Sequence, residues 1–298
     1  MYNKIKRLIT KITVLTNTTV KKLLSIAVWQ NTYDVLSGHK LTAYWWKGNN
    51  NENWGDKINP WLMQRLSGKE IVHVDDIINF WFINVYTCIG SVVEHLRYSG
   101  VHIWGPGIIS QDSALKIKPK RIHAVRGPLT RSRFKKKGFN CPEVYGDPAL
   151  LLPKFYTPDV VKTTQLGIIP HYVDKGNENV LRILHAGDVM VIDIYGGETE
   201  FIDQVNRCKH IVSSSLHGLI VADAYGIPSK WIKLSDNVYG DDFKYGDYYQ
   251  SIGVIDEKPI VIESKITASD LINACWKKEM GIDLNRLIDS CPYYKNEQ

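Results

Sequence analysis

Three consecutive serines and a nearby histidine give this 298-residue chain its most reactive-looking segment. They are Ser213, Ser214, Ser215 and His217, with Gly218 next, and the flanking sequence predicts a strand, a turn and a helix. The carboxyl end of such a strand lines the ligand crevice of a parallel sheet. The helix that follows offers unpaired N–H groups and the positive end of its dipole. The segment therefore predicts a phosphate or carboxylate site, with His217 as proton-transfer group or anion ligand.

The same segment has a simpler interpretation. Serine is a common helix N-cap, so the hydroxyls could serve only to begin a buried helix, with His217 hydrogen-bonded inside the protein. The segment lacks the glycines of a dinucleotide-binding turn, so it does not indicate NAD.

Short apolar runs alternate with amphipathic stretches from about residue 40, a pattern that predicts parallel α/β layers. Strands are predicted at 41–45, 71–74, 86–89, 101–104, 121–125, 143–145, 166–169, 189–194, 210–213, 230–234 and 260–262. Helices are predicted at 54–66, 127–138, 198–208, 216–225, 241–250 and 268–287. We therefore expect two Rossmann-like domains with a central cleft, spanning 41–155 and 165–298 and joined by a linker at 153–164.

Residues 1–40 form a basic N-terminal extension whose first acidic residue is Asp34. Apolar residues at roughly helical spacing lie between its lysines. They predict either an amphipathic helix on anionic lipid or a basic arm packed on the protein's own surface. The extension lacks the features of a secretory signal, and no apolar run is long enough to span a bilayer. We expect a cytoplasmic protein, with peripheral attachment to the inner face of the cytoplasmic membrane as an option.

Composition excludes several classes of protein. The net charge of +6, from 37 basic and 31 acidic residues, accompanies no arginine-rich block or nucleic-acid motif, so no nucleic-acid partner is expected. The five cysteines are scattered and include no CxxC pair, which argues against a disulfide framework and a zinc site. Free cysteines fit a reducing cytoplasm.

Several segments together resemble the polysaccharide pyruvyl transferases. The serine–histidine segment with the following 222–228, Ala-Asp-Ala-Tyr-Gly-Ile-Pro, is similar to the C-terminal signature of that family. Other similar segments occur in the family's order at 53–56, 104–107, 125–130, 145–151 and 244–249. The resemblance covers about residues 41 to 252. It implies a GT-B-like fold and transfer of pyruvate from phosphoenolpyruvate to a sugar as a ketal, with no metal or organic cofactor.

The resemblance also implies donor ligands, because phosphoenolpyruvate carries a phosphate and a carboxylate that require cations and N–H donors. Arg126, Lys244 and His171 then join the serine–histidine segment, Gly218 included, as donor ligands. Each has a simpler alternative. Arg126 could pair with a structural carboxylate such as Asp147, Lys244 could be a solvated helical lysine, and His171 could be an ordinary loop residue.

Acidic and amide side chains are the candidates for handling the acceptor. Asp147, in a Gly-Asp-Pro turn, is either a base for the acceptor hydroxyl or a cap for the next segment. Asn53 and Asp56 either bind sugar hydroxyls or cap a helix. The acceptor, a sugar of a surface polysaccharide or of its lipid-linked precursor, is expected on the N-terminal side of the cleft and the donor on the C-terminal side. Trp45, Trp46 and Trp54 are expected in the core, with sugar stacking as the alternative.

Two other functions fit parts of the sequence. A glycosyltransferase of the same architecture would use a nucleotide sugar, with Asp256 or Glu257 binding the ribose. A catalytically inactive scaffold docked on the membrane would use only the basic extension. The presence of both Arg126 and His217 favours an enzyme over a scaffold.

Overall fold

The computed structural model describes residues 25–48, 53–185, 187–240 and 242–295, and these form two parallel five-stranded sheets. The first sheet, in the order β2-β1-β3-β4-β5, comprises β1 Lys40–Ala43, β2 Glu70–His73, β3 Val85–Thr87, β4 Val101–Trp104 and β5 Arg121–Ala124. The second, in the order β10-β9-β8-β6-β7, comprises β6 Thr164–Ile169, β7 Val189–Val191, β8 Cys208–Ser213, β9 Ser229–Lys233 and β10 Ile260–Val261. The prediction of an α/β protein with two Rossmann-like sheets is confirmed at this level.

Both sheets have the same internal order. Counted from its own first strand, each reads 2-1-3-4-5, one of the two common doubly wound arrangements. The strand order reverses between β1 and β3 in the first sheet and between β6 and β8 in the second. Ligands bind at the carboxyl ends of the strands beside such a reversal. Each half therefore has one expected binding edge.

Helices and short 3₁₀ turns connect the strands. The helices of the described residues are α1 Ile26–Leu36, α2 Trp54–Ser67, α3 Pro128–Lys136, α4 Glu178–Leu184, α5 Glu198–Asn206, α6 Leu216–Ala224, α7 Phe243–Ser251, α8 Ala268–Ala274 and α9 Leu284–Asp289. A 3₁₀ segment, Pro148–Lys154, follows β5 and packs against α6.

Three sequence predictions differ from these elements. The predicted long helix at 268–287 is wrong, because Cys275 ends α8 in an extended backbone conformation and the chain becomes helical again only in α9. The predicted strand at 143–145 is a single bridge between Val125 and Tyr145. Helices α1 and α4 were not predicted. The basic run before α1 lies outside the described residues, and within them no helix has the length and apolar character to cross a bilayer.

Local sequence explains the two helices that matter most for the site. Asn53 begins α2 by accepting the Gly55 N–H at 2.9 Å, and Gly68 ends it with a positive φ of 67°. Helix α6 begins at Ser215 and is apolar around almost its whole circumference, because it lies between the second sheet and Pro148–Lys154. Both helices begin at the carboxyl edges of the sheets, so their first turns face the space between the halves.

Side chains from both halves form one continuous core. Trp54 of α2 stacks on Phe201 of α5 with ring centres 4.7 Å apart, and its indole N–H donates to the Glu198 carbonyl at 2.8 Å. At the end of the chain, the Leu287 carbonyl accepts from the Trp104 indole at 3.0 Å, so α9 lies against the first half. These contacts hold the two sheet edges at a fixed separation.

Candidate functional site

A cavity of about 340 Å³ lies where the carboxyl edges of the two sheets face each other. The first half lines it with Trp46, Asn53, Asp56, Ser91, Val92, His95 and Ile109. The second half lines it with His171, Tyr172, Ile194, Ser215, Leu216, His217, Tyr239 and Lys244. The two strand-order reversals therefore meet in a single site, and six of the predicted site residues line it.

His217 lies in the first turn of α6 and packs across the cavity against Gly55 of α2. A Cβ on Gly55 would overlap the imidazole ring, so glycine is required for this approach. Burial and the nearby charges of Lys244 and Arg126 lower the pKa of His217 to about 3. The ring is therefore neutral near pH 7 and able to accept a proton.

Lys244 brings a buried cation to the same cavity. Only 7% of the residue is exposed, and its ammonium lies 5.3 Å from the centre of the Tyr245 ring. Burial and the charge of Arg126 lower the pKa of Lys244 to about 8, so it is still mostly protonated at pH 7. In the part of the chain that the structure describes, no carboxylate lies within ion-pair distance of it, and the nearby charge of Asp242 only partly offsets the lowering of its pKa. An anionic ligand would supply the missing counter-charge.

Arg126 lies behind the cavity wall and does not line the cavity. Its guanidinium donates to Asp247 Oδ2 at 3.1 Å, to Ser91 Oγ at 2.6 Å and to the Ile108 carbonyl at 2.7 Å. The expectation that it points into the cleft as a direct ligand therefore does not match its position. It has the structural carboxylate partner that was the alternative, but that partner is Asp247 instead of Asp147. Its charge still acts on the cavity by lowering the pKa of both His217 and Lys244.

Asp247 was not predicted as a site residue, yet it binds Arg126 behind the cavity wall. It is fully buried on α7 and also accepts from the Thr130 N–H at 2.9 Å and the Thr130 hydroxyl at 2.7 Å. A Cβ on Gly127 would overlap the Asp247 backbone. One carboxylate of the second half thus neutralises Arg126 and caps the start of α3 in the first half.

The three serines have different surroundings, and only Ser215 lines the cavity. The Ser213 hydroxyl accepts from the Ser215 N–H and donates to the Ile169 carbonyl, both at 2.9 Å. The Ser214 hydroxyl accepts from the His171 N–H at 2.8 Å and donates to Asp174 at 3.2 Å. Ser213 and Ser214 therefore hold the turn that presents Ser215.

Gly218 also lies away from the cavity. A Cβ there would come within 2.5 Å of the Ser213 hydroxyl and 2.9 Å of Ile169 Cδ1. Its missing side chain lets α6 pack closely on the ends of β6 and β8. It supports the site through packing and does not contact the cavity.

The remaining predicted residues lie on both walls. His171 lines the cavity, and burial with the charge of Lys244 lowers its pKa to about 3. Asn53 caps α2, as the simpler interpretation expected, but it also lines the cavity and donates to Asp56. Asp56 is almost fully buried beside it.

Asp147 does not reach the cavity. Its Oδ1 accepts from the Ala149 N–H at 3.0 Å and caps Pro148–Lys154, which is the structural role given as its alternative. Burial raises its pKa to about 6. Its position behind the wall does not give it access to an acceptor hydroxyl in this cavity.

Several cavity residues were missed by sequence reasoning: Ser91, Val92, His95, Ile109, Tyr172, Ile194, Leu216 and Tyr239. Ser91 and His95 follow β3, and that position beside the strand-order reversal was the one available signal. Trp46, which was also expected in the core, is instead 43% exposed and packs on His95 with ring centres 4.6 Å apart, while Trp45 and Trp54 are buried as expected. Neither Asp256 nor Glu257 lines the cavity, and Glu257 is paired with Lys230.

Comparison with known proteins gives a consistent set of similarities. A family model described as polysaccharide pyruvyl transferase matches residues 78–236, just over half of the chain. An uncharacterised protein of Acanthamoeba polyphaga mimivirus is 32% identical over 211 residues, covering 68% of this chain and 71% of that protein. The succinoglycan biosynthesis protein ExoV of Rhizobium meliloti is 28% identical over 220 residues, covering 72% and 66%.

One solved structure is also similar. It is a functionally uncharacterised Klebsiella pneumoniae protein that aligns over 84% of this chain and all of its own, with 15% identity and a TM-score of 0.47. The family match at 78–236 includes Ser91, His171, Ser215 and His217 of the cavity, whereas Asn53, Asp56 and Lys244 lie outside it.

Proposed function

The chain belongs to the polysaccharide pyruvyl transferase family, and on that premise we propose that phosphoenolpyruvate is its donor. The acceptor is a sugar of a surface polysaccharide or of its lipid-linked precursor, two hydroxyls of which become bridged as a pyruvate ketal. A lipid-linked acceptor would bring the enzyme to the inner face of the cytoplasmic membrane.

One observation carries the choice of donor. Lys244, a buried cation without a carboxylate partner among the described residues, shares a cavity with the first turn of α6. That turn adds the hydroxyl of Ser215 and backbone N–H groups at the positive end of a helix dipole. Arg126 adds a second positive charge from behind the wall. Together these groups suit a ligand that carries both a phosphate and a carboxylate.

The state of His217 suits the proton transfers that this reaction requires. In the first step, an acceptor hydroxyl loses its proton and its oxygen bonds to the central carbon of phosphoenolpyruvate, while the CH₂ carbon gains a proton and becomes a methyl group. In the second step, another hydroxyl attacks the same carbon, the bond from that carbon to the phosphate oxygen breaks, and the hydroxyl proton leaves with the phosphate. Neutral His217 accepts the hydroxyl proton. The negative charge of bound phosphate raises the pKa of His217, which makes its neutral ring a better acceptor for that proton. The protonated ring then donates the proton to the CH₂ carbon.

The opposite wall supports an acceptor. Asn53 and Asp56 offer amide and carboxylate groups for sugar hydroxyls. Trp46, whose indole is partly exposed, offers an apolar face for a sugar ring. No contact favours the alternative, glycosyl transfer from a nucleotide sugar, because the acidic residues suggested for the ribose lie outside the cavity.

The test is incubation of the full chain with phosphoenolpyruvate and synthetic or lipid-linked sugar acceptors. We expect acceptor-dependent release of phosphate, in equal amount to acceptor that has gained one pyruvyl group by mass spectrometry. His217→Ala serves as the matched inactive control. Transfer of sugar from a UDP-sugar, without reaction of phosphoenolpyruvate, would contradict the proposal.

A further inference from the structure

The amino-terminal edge of the first sheet carries an aromatic loop that takes no part in the cavity. The loop consists of Phe80–Phe82. Trp81 is 81% exposed and Phe82 is 51% exposed. The rings of Phe80 and Phe82 stack at 5.4 Å, and Trp81 meets Phe82 edge-on at 5.5 Å. Trp81 and Phe82 thus form an apolar patch that projects into water, and such a patch is typical of an interaction site.

A basic groove of about 720 Å³ lies beside the aromatic loop. Four of its lining residues are cationic and none is acidic; the cations are Arg97, Lys116, Lys118 and Lys120. The three lysines are exposed and follow one another at every second position, with the buried Leu115 and Ile117 between or beside them. The groove therefore presents a concentrated positive charge.

Helix α1 carries a second exposed apolar stripe. It is spaced to fall on one helical face and includes Ile26, Tyr33 and Leu36. The other face of α1 is buried through Val28 and Thr32. Val35 of α1 and Phe80 of the loop pack against the same small core cluster, so the inward face of α1 and the aromatic loop are neighbours.

We propose that the aromatic loop and the basic groove form a docking surface for an anionic lipid bilayer. Tryptophan and phenylalanine insert readily at the boundary between headgroups and acyl chains. Lysine and arginine beside them bind anionic headgroups. A groove with four cations and no acid complements such a membrane in charge.

Docking through this surface leaves the cavity free. The groove lies before β4 and β5, at Gly100 and Lys120, whereas the cavity lies beyond the carboxyl ends of the strands. The two sites therefore occupy opposite edges of the first sheet. This inference does not depend on the donor or the reaction, because it concerns lipid binding by the protein alone.

The experiment is co-sedimentation of the full chain with phosphatidylcholine vesicles, with or without phosphatidylglycerol. We expect binding only to the anionic vesicles, and weaker binding as NaCl is raised. Combining Lys116→Glu, Lys118→Glu and Lys120→Glu should lower the partition coefficient about tenfold or more, since each basic residue near an anionic surface contributes a several-fold factor. Combining Trp81→Ser and Phe82→Ser should also lower it about tenfold.

Matched controls separate this surface from general basicity. Lys209→Glu, Lys258→Glu and Lys277→Glu make the same charge change at exposed positions of the second half and should reduce binding far less. A second control neutralises the basic extension with Lys4→Gln, Lys6→Gln, Arg7→Gln and Lys11→Gln. Vesicle binding by this variant should still depend on Trp81. Circular dichroism checks that each variant is folded. The proposal is overturned if the loop and groove variants bind like the unmodified chain, or if the variant with three glutamates in the second half loses binding equally.

Discussion

The residues that line the cavity wall differ in role from the layer of residues buried behind it. The residues of the segments that resemble the family fall into these two groups. His217, Lys244 and Ser215 lie on the wall and face the space between the sheets. Arg126 and Asp247 lie behind it, fully buried and bonded to each other. A residue of a recognisable motif can therefore serve the site by contact with the ligand or by setting the position and charge of the residues that make contact.

The two groups are coupled electrostatically. The positive charge of Arg126 lowers the pKa of His217 and of Lys244, although Arg126 itself does not line the cavity. Asp247 limits this effect by neutralising part of that charge. We therefore expect changes in the wall to reduce activity with little effect on stability, and changes in the layer to reduce stability first.

Removing the imidazole from the wall should have the largest effect on rate. For His217→Ala we expect turnover to fall by about 10² to 10⁴, the usual contribution of a positioned acid or base. The thermal midpoint should change little, because the ring borders a cavity. Initial rates of acceptor-dependent phosphate release and a thermal melt measure the two effects. A clearly lower thermal midpoint of the variant would show that His217 stabilises the fold, as Arg126 and Asp247 do.

Removing the negative charge from the layer should have the largest effect on stability. Asp247→Asn leaves the buried Arg126 guanidinium without its counter-charge, and we expect the free energy of unfolding to fall by about 3–5 kcal/mol. Urea denaturation measures the change. Asp193→Asn is the matched control, because the exposed Lys175–Asp193 pair should contribute less than about 1 kcal/mol. Equal effects of the two substitutions would contradict a special role for the layer.

Gly55→Ala tests the contact across the cavity without touching a reactive group. Alanine favours a helix by about 1 kcal/mol over glycine, but its Cβ would overlap the His217 ring. A displacement of the ring by about 1 Å should lower turnover about 100-fold. Gly246→Ala in α7 is the matched control, since its Cβ would meet only Leu129 Cδ1 at 3.6 Å. If the two variants have the same rate, His217 does not depend on its approach to Gly55.

Substitutions of Ser213 and Ser215 should give the smallest effects, and these should differ in kind. One should lower stability and the other should weaken donor binding. Ser213→Ala leaves the buried Ser215 N–H without its acceptor, so the free energy of unfolding should fall by about 1–3 kcal/mol. Ser215→Ala should leave stability unchanged and raise the KM for the donor about fivefold, the effect of one lost hydrogen bond. Denaturation curves and donor titrations on both variants check this. The opposite pattern would reverse the assignment of the two hydroxyls.

The sequence was sufficient for most of the sheet architecture. Apolar runs ending in polar residues identified both sheets, and β4 at Val101–Trp104 matches its predicted bounds. The break between α8 and α9 was not predictable, because the amphipathic pattern continues through Cys275 while the backbone there becomes extended. Helix α1 was missed because its exposed apolar stripe does not follow the pattern of a buried helix.

The sequence identified the segments of the site better than the direction of their side chains. Ser213 and Ser215 are two residues apart in one motif, yet the first is bonded inside the turn and the second lines the cavity. Arg126 finds its carboxylate 121 positions away, in Asp247, a partner that local spacing cannot reveal. Both facts depend on how the two halves pack, which no single motif encodes.

Lys244 is the group through which the cavity should bind phosphoenolpyruvate, and calorimetric titration of the donor measures that binding. At pH 7 we expect measurable binding to the unmodified chain and at least about tenfold weaker binding to Lys244→Met, since a hydrogen bond to a charged group contributes about 1.5–3 kcal/mol. Because the pKa of Lys244 is about 8, affinity should fall as the pH rises from 7 to 9 and the ammonium loses its proton. Lys244→Arg should remove that decrease. If Lys244→Met binds the donor as tightly as the unmodified chain at pH 7, Lys244 is not a donor ligand.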